Sequence, residues 1–102
     1  MNRLSDAGQE ILQLCQHEIP YYAYGDNEAA VDMAHRLDKI SDIIIEYEES
    51  SRKRIEAAEL LDEALAIAIN TVECDSLDKK GNELPWYKSA KKAREEWMKA
   101  KE

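Results

Sequence analysis

A row of carboxylates is the first group of residues in this sequence that could do chemistry. The row has helical spacing and follows Asp32; its members are Asp38, Asp42, Glu46 and Glu49. Side chains three or four positions apart lie on one face of a helix. Such a face can imitate the phosphate charge of DNA and block a nucleic-acid-binding protein, or it can offer oxygen ligands to a divalent cation. Charged runs on helices most often form only a solvated outer face, so all three interpretations stay open.

Three of the five tyrosines fall in one short segment, at Tyr21, Tyr22 and Tyr24. Tyrosine is enriched at binding hot spots because it brings a large contact area and a hydroxyl group. The chain has no phenylalanine, so these rings are equally suited to covering the open end of a helical hairpin. Partner recognition and core cover are therefore alternative roles for the segment.

One further segment has the spacing of a magnesium site. Glu59 and Asp62 form an ExxD element, and Glu63 follows it. The element resembles one half of the site of all-α nucleotide pyrophosphohydrolases of the MazG type, which hold magnesium with an EExxE and an ExxD element on adjacent helices. The EExxE half is lacking, because the glutamates at 48–49 are followed by Ser-Ser-Arg at 50–52. The resemblance implies a magnesium-dependent hydrolase as an alternative function.

No other motif indicates a catalytic residue, a metal site or a cofactor. Asp32 and His35 form one half of a carboxylate–histidine pair, whereas a di-iron bundle needs two halves. The three glycines stand apart from one another, which excludes a phosphate-cradling loop, and no serine lies in a nucleophile motif. The leading interpretation therefore has no catalytic residues, no metal and no cofactor.

Length and charge restrict the functional class. The 102 residues carry 22 acidic and 14 basic side chains, a net charge of −8. This length predicts a single domain over residues 1–102, and the charge disfavours direct nucleic-acid binding. The longest apolar runs are far shorter than the ~20 residues of a membrane span, and no apolar run opens the sequence. We therefore expect a cytoplasmic protein that does not bind a membrane.

The charge is unevenly distributed along the chain. Residues 26–78 contain 15 acidic and 5 basic side chains, a net charge of −10. Residues 79–102 contain 8 basic and 4 acidic side chains, a net charge of +4. Opposite charges favour docking of the basic segment onto the acidic helices, either within the chain or across a dimer.

The elements that must position these residues are helices. Apolar residues at 3–4 spacing predict a first helix over 4–18, ended by Pro20, and a connection over 20–27. Residues 28–73 contain no glycine and no proline and have helical periodicity throughout. A loop over 75–85 precedes a last helix over 86–101. The predicted fold class is all-α, a helical bundle.

The polar residues at 48–54 leave two arrangements of the long segment open. An unbroken helix would be ~69 Å long at ~1.5 Å per residue, giving a three-helix bundle with a long central helix that needs an oligomer to cover it. A cap at Ser50 or Ser51 would instead start a new helix and give four helices. Because the gap contains no glycine, asparagine or proline, the unbroken helix and a homo-oligomer, most simply a dimer, are favoured.

These observations favour a non-enzymatic protein-interaction module with a protein partner. Small, acidic, motif-poor helical domains are typical of phage and mobile-element accessory proteins that inhibit host defence, such as anti-CRISPR and anti-restriction proteins; the likeness is one of style alone. The predicted partner-binding residues are Tyr21, Tyr22, Tyr24, Asp38, Asp42 and Glu46. Beside the pyrophosphohydrolase using Glu59, Asp62 and Glu63, a second alternative is a small-ligand- or nucleotide-binding oligomer with the tyrosines at a subunit interface.

Overall fold

The computed structural model describes residues 6–47, 50–74 and 84–99. Its helical elements are α1 (Asp6–Gln13), a π-helical turn (Leu14–Glu18), α2 (Ile19–Tyr22), α3 (Glu28–Tyr47), α4 (Ser51–Asn70) and α5 (Pro85–Lys99). Two short strands, β1 (Ala23–Tyr24) and β2 (Glu73–Cys74), pair antiparallel. We call α1, the π-helical turn and α2 together the N-terminal helical segment, since they follow one another without a gap. The prediction of an all-α helical bundle is confirmed.

The long segment is broken at the polar gap, so the prediction of one unbroken helix is wrong and the four-helix alternative is right. Ser50 has an extended backbone (φ −85°, ψ 118°), and its Oγ accepts a hydrogen bond from the Lys53 N–H at 3.3 Å. This side chain satisfies one of the backbone donors that the start of a helix leaves open. A serine N-cap therefore marks the start of a new helix, although the polar gap contains no glycine or proline.

The break lets α3 fold back against α4, so that most apolar residues on the facing sides of the two helices are buried within one chain. Arg36 of α3 forms an ion pair with Glu63 of α4, as an antiparallel hairpin requires. The hairpin core contains Met33, Leu37, Ile40, Ile44, Ala57, Leu61, Ala64, Leu65 and Ala68, all buried. Burial of each leucine or isoleucine stabilises the fold by ~1.5–3 kcal/mol. The longest dimension is 38 Å, about half of the ~69 Å of a continuous helix, so the physical reason for predicting an oligomer no longer applies.

The N-terminal helical segment continues beyond Pro20, which contradicts the prediction that this proline ends it. Ile19 keeps helical dihedral angles (φ −63°, ψ −48°), and its N–H donates to the Leu14 carbonyl, five residues earlier. This π-helical bond shifts the hydrogen-bond register just before the proline. Pro20 then lies in the first turn of α2, where a backbone N–H would have no acceptor within the helix, so its absence in proline costs no hydrogen bond.

The segment predicted as a connection over 20–27 is partly regular. Ala23 pairs with Cys74 and Tyr24 with Glu73, which ties this segment to the end of α4. Asn27 then caps α3, because its Oδ1 accepts the Ala30 N–H at 2.8 Å. The pairing of β1 with β2 joins residues about fifty positions apart, and nothing in the local sequence pattern predicts it.

The basic helix α5 packs against the N-terminal helical segment and α4. Its buried residues are Trp86, Ala90, Ala93 and Trp97, which recur at helical spacing and form its inner face. Arg94 pairs with Asp62 of α4 at 3.0 Å, and its Nε donates to the Ala58 carbonyl at 3.4 Å. The predicted docking of the basic segment onto the acidic helices therefore occurs within the chain, on α4.

Both cysteines are buried as free thiols. Desolvation raises the pKa of Cys15 from 9.0 to about 12, and it also raises the pKa of Cys74. A thiol with a raised pKa is a poor nucleophile, so both side chains act as small core residues.

Within residues 6–47, 50–74 and 84–99, the structure has no helix with the length and apolar character of a membrane span.

Candidate protein-interaction surface

The predicted acidic row lies on the solvent side of α3. Asp38, Asp42 and Glu46 are all exposed and follow one another at intervals of one helical turn. None of the three carboxylates forms an ion pair with a residue that the structure describes. Glu49, the last member of the predicted row, lies outside the described residues. Exposed Lys39 directly follows Asp38 and lies three residues before Asp42, so one lysine borders a face that keeps a net negative charge.

Two large aliphatic side chains lie in the same stripe and were not predicted as site residues. Val31 is 52% exposed and Ile45 is 57% exposed. Their positions are seven residues before and seven residues after Asp38, a spacing that repeats on one face of a helix. We call Val31, Asp38, Asp42, Ile45 and Glu46 the acidic face of α3. A purely solvated face has no need of two exposed aliphatic residues at that spacing, although single exposed ones are common on any protein.

The three tyrosines are not brought together in one surface. Tyr21 is 69% exposed and Tyr24 is 45% exposed, whereas Tyr22 is half-buried and packs against the core. The Tyr21 and Tyr22 rings meet edge to face with their centroids 4.9 Å apart. Tyr22 therefore covers the core, as one of the two predicted roles requires, while the rings of Tyr21 and Tyr24 are exposed and their role in recognition stays a prediction.

The tyrosines and the acidic row also form two separate patches. Tyr24 immediately precedes Gly25, which lies beside Ala30 in the first turn of α3. At ~1.5 Å per residue, Asp38 and Glu46 lie ~15 Å and ~27 Å further along the axis from the start of α3. A protein interface of ordinary size can span both patches, but they do not form one compact site.

The residues of the predicted magnesium element are mainly engaged in ion pairs. Asp62 pairs with Arg94, and Glu63 pairs with Arg36, while Glu59 is exposed on α4. Arg36 also contacts Asp32, at 3.3 Å. In the described parts of the chain, no group of three or more histidine, cysteine, aspartate or glutamate side chains is arranged to hold a metal ion. The geometry thus gives no support to the pyrophosphohydrolase alternative, which stays a prediction.

A cavity that the sequence did not predict lies between the N-terminal helical segment and α5. It has a volume of about 210 Å³ and is lined by Glu18, Tyr22, Leu84, Pro85, Trp86 and Ser89. The two sets of lining residues are more than sixty positions apart in sequence, so only the folded chain brings them together. A shallow basic groove of about 420 Å³ lies further along α5, lined by Tyr87, Lys88, Lys91, Lys92 and Glu95.

Comparison of the chain with protein-family models, with curated proteins and with solved structures gives no significant match.

Proposed function

We propose that this chain is a non-enzymatic interaction module that binds a protein partner through the acidic face of α3. The observation that supports the proposal is that Val31 and Ile45 are exposed on the same helix face as the three carboxylates. Among the described residues, these carboxylates have no ion-pair partner. Interfaces commonly combine apolar anchors with charges that set orientation and encounter rate. The acidic face of α3 offers both within one helix.

The surface chemistry specifies the partner in general terms. A matching surface carries lysine or arginine side chains opposite Asp38 and Asp42, with apolar depressions on either side for Val31 and Ile45. The net charge of −8 adds a long-range attraction for such a basic surface. Carboxylates one turn apart follow at ~6 Å intervals, whereas duplex DNA carries one charge per ~1.7 Å. This sparser spacing favours a discrete basic patch as the target over a groove shaped for a whole duplex.

By analogy of size, charge and helix content alone, we propose a nucleic-acid-binding protein of a bacterial defence system as the partner class. The chain would then work in the cytoplasm as an inhibitor that occupies the basic patch. Tyr21 and Tyr24 form the second contact patch in this proposal, and Tyr22 is retained for its packing.

Homo-oligomer formation is a separate part of the proposal. Because the facing sides of α3 and α4 are buried against each other in one chain, the remaining support for a homo-oligomer is charge complementarity between the acidic face of α3 and the lysines of the α5 groove on a second copy. Light scattering coupled to size-exclusion chromatography measures the molar mass and so distinguishes a monomer from a homo-oligomer. A monomer mass at all concentrations would remove the oligomer from the proposal without affecting the partner-binding surface.

The test of partner binding is an affinity pull-down from bacterial lysate with nuclease present, comparing matched variants. Asp42→Lys and Ile45→Ser alter the acidic face of α3. Glu10→Lys makes the same charge change as Asp42→Lys, but at an exposed position of α1. We expect a stoichiometric protein that the wild type and Glu10→Lys retain and that both α3 variants lose. Retention that is equal in all four proteins would show that the acidic face of α3 is not the binding site.

A further inference from the structure

The cavity between the N-terminal helical segment and α5 has the features of a small-molecule site. Glu18 and Tyr22 line one wall and are four residues apart, so they share a helix face. Trp86 and Ser89 line the opposite wall from α5, and Leu84 and Pro85 complete the lining. The cavity therefore combines two aromatic rings with a carboxylate at an exposed position and a hydroxyl group.

Trp86 supplies a donor that the fold itself does not use. The residue is only 4% exposed, and its indole Nε1 is buried without a hydrogen-bond partner among the described residues. Buried donors in native proteins nearly always have a partner, which can be a ligand or an ordered water. The residue before α5 is Leu84, whose aliphatic side chain cannot cap the helix. The first turn of α5 therefore has no side-chain cap from the residue that directly precedes it.

The lining also restricts the charge of the ligand. None of the described residues that line the cavity is a lysine or arginine, and Glu18 places a carboxylate there. The net charge of −8 adds a general repulsion of anions. Phosphate- or carboxylate-bearing ligands are therefore disfavoured, whereas an N–H group of a ligand can donate to Glu18.

We propose that this cavity binds an uncharged, planar nitrogen heterocycle, of the nucleobase or aryl-amide type. The ring packs against Tyr22 and Trp86, and an N–H of the ligand donates to the Glu18 carboxylate. On binding, the Trp86 indole turns so that its Nε1, which is buried in this structure, donates to a carbonyl or ring nitrogen of the ligand. This site is independent of the acidic face of α3, and its failure would leave the proposed function untouched.

Isothermal titration calorimetry with nicotinamide, nicotinate and cytosine tests the proposal. Nicotinamide and nicotinate have nearly the same size and differ in charge, so they separate ring recognition from charge. We expect one site per chain with a submillimolar Kd for nicotinamide or cytosine, and affinity at least about tenfold weaker for nicotinate. The absence of binding by both neutral probes, or equal binding of nicotinate, would overturn the proposal.

Variants then locate the site. Trp86→Phe removes the indole N–H and should weaken binding about tenfold, as expected for the loss of one hydrogen bond. Trp97→Phe is the matched control, because Trp97 is also buried but does not line the cavity. Ser89→Leu should block binding by filling the cavity. Circular dichroism melts confirm that each variant is folded; equal effects of the two tryptophan variants, or full binding by Ser89→Leu, would place the ligand elsewhere.

Discussion

Replacement of Ser50 by alanine tests the feature on which the whole bundle depends, the break between α3 and α4. The Ser50 Oγ accepts the Lys53 N–H at 3.3 Å, which is longer than the most common hydrogen-bond length. Loss of an N-cap side chain costs about 0.5–2 kcal/mol. The long bond places Ser50→Ala in the lower half of that range, about 0.5–1 kcal/mol.

The sign of the effect distinguishes the two chain arrangements. If residues 28–73 formed one helix, Ser50 would be an interior position, and alanine would stabilise it by up to ~0.5 kcal/mol through its higher helix propensity. With the break in place, the same substitution destabilises the fold. For a domain of this size the loss lowers Tm by about 2–8 °C.

Thermal and urea unfolding followed by circular dichroism give the measurement. Ser51→Ala is the matched control, since Ser51 is exposed and its side chain is not the cap; its effect should stay within about 0.5 kcal/mol. Ser50→Asp should retain stability, because aspartate is an equally good N-cap. A rise in Tm for Ser50→Ala would refute the helix break, since in a continuous helix both Ser50→Ala and Ser51→Ala should raise Tm.

Three further outcomes follow from burial and charge. Ile44→Ala should lower the free energy of unfolding in urea by about 2–5 kcal/mol, because Ile44 is fully buried. The neighbouring Ile45→Ala should lower it by less than about 0.5 kcal/mol, because Ile45 is 57% exposed. Similar losses for the two variants would contradict the orientation of α3. A double-mutant cycle on Asp62 and Arg94 should give a coupling of about 0.3–1 kcal/mol at low salt that decreases at high salt, and a salt-independent value would argue against an ion pair. The raised pKa of Cys15 means that the folded state holds its proton from pH 9.0 to about 12 while the unfolded state releases it. Stability from this group is complete below pH 9.0 and is lost as pH rises, by up to ~1.4 kcal/mol per pH unit. In pH-dependent unfolding, Cys15→Ala should show a smaller decline than the wild type, and an equal decline would show that Cys15 is not buried.

Apolar periodicity predicts most of the helical fold, because a packed helix buries one face, and the apolar residues on that face recur every three or four positions. Leu37, Ile40 and Leu61 are buried as their spacing requires. The ends of the helices are harder to predict. Ser50 and Pro20 both act through local backbone geometry, and a serine cap or a π-helical turn leaves no periodic signal in the sequence.

The candidate sites differ in the same way: a site that depends on local spacing can be predicted from the sequence, and one that depends on tertiary packing cannot. The row from Asp38 to Glu46 is local in sequence, so its place on one exposed face can be predicted from spacing. The spacing from Leu37 and Ile40 places Ile44 inward, but it puts Ile43 and Ile45 on opposite sides of that stripe and gives no indication of which of these two is exposed. The cavity joins Tyr22 to Trp86 across the whole chain, and only tertiary packing creates it.

The arrangement of arginines explains why one helix of the hairpin stays negative. Arg36 contacts Asp32 and Glu63, and Arg94 contacts Asp62, so these two arginines neutralise carboxylates on α4 and at the start of α3. The acidic face of α3 receives no such partner among the described residues. Because its carboxylates are exposed, salt screens them over a Debye length of about 8–10 Å. A basic partner should therefore bind with an association rate that falls as salt rises, while its dissociation rate depends on the contacts of Val31 and Ile45.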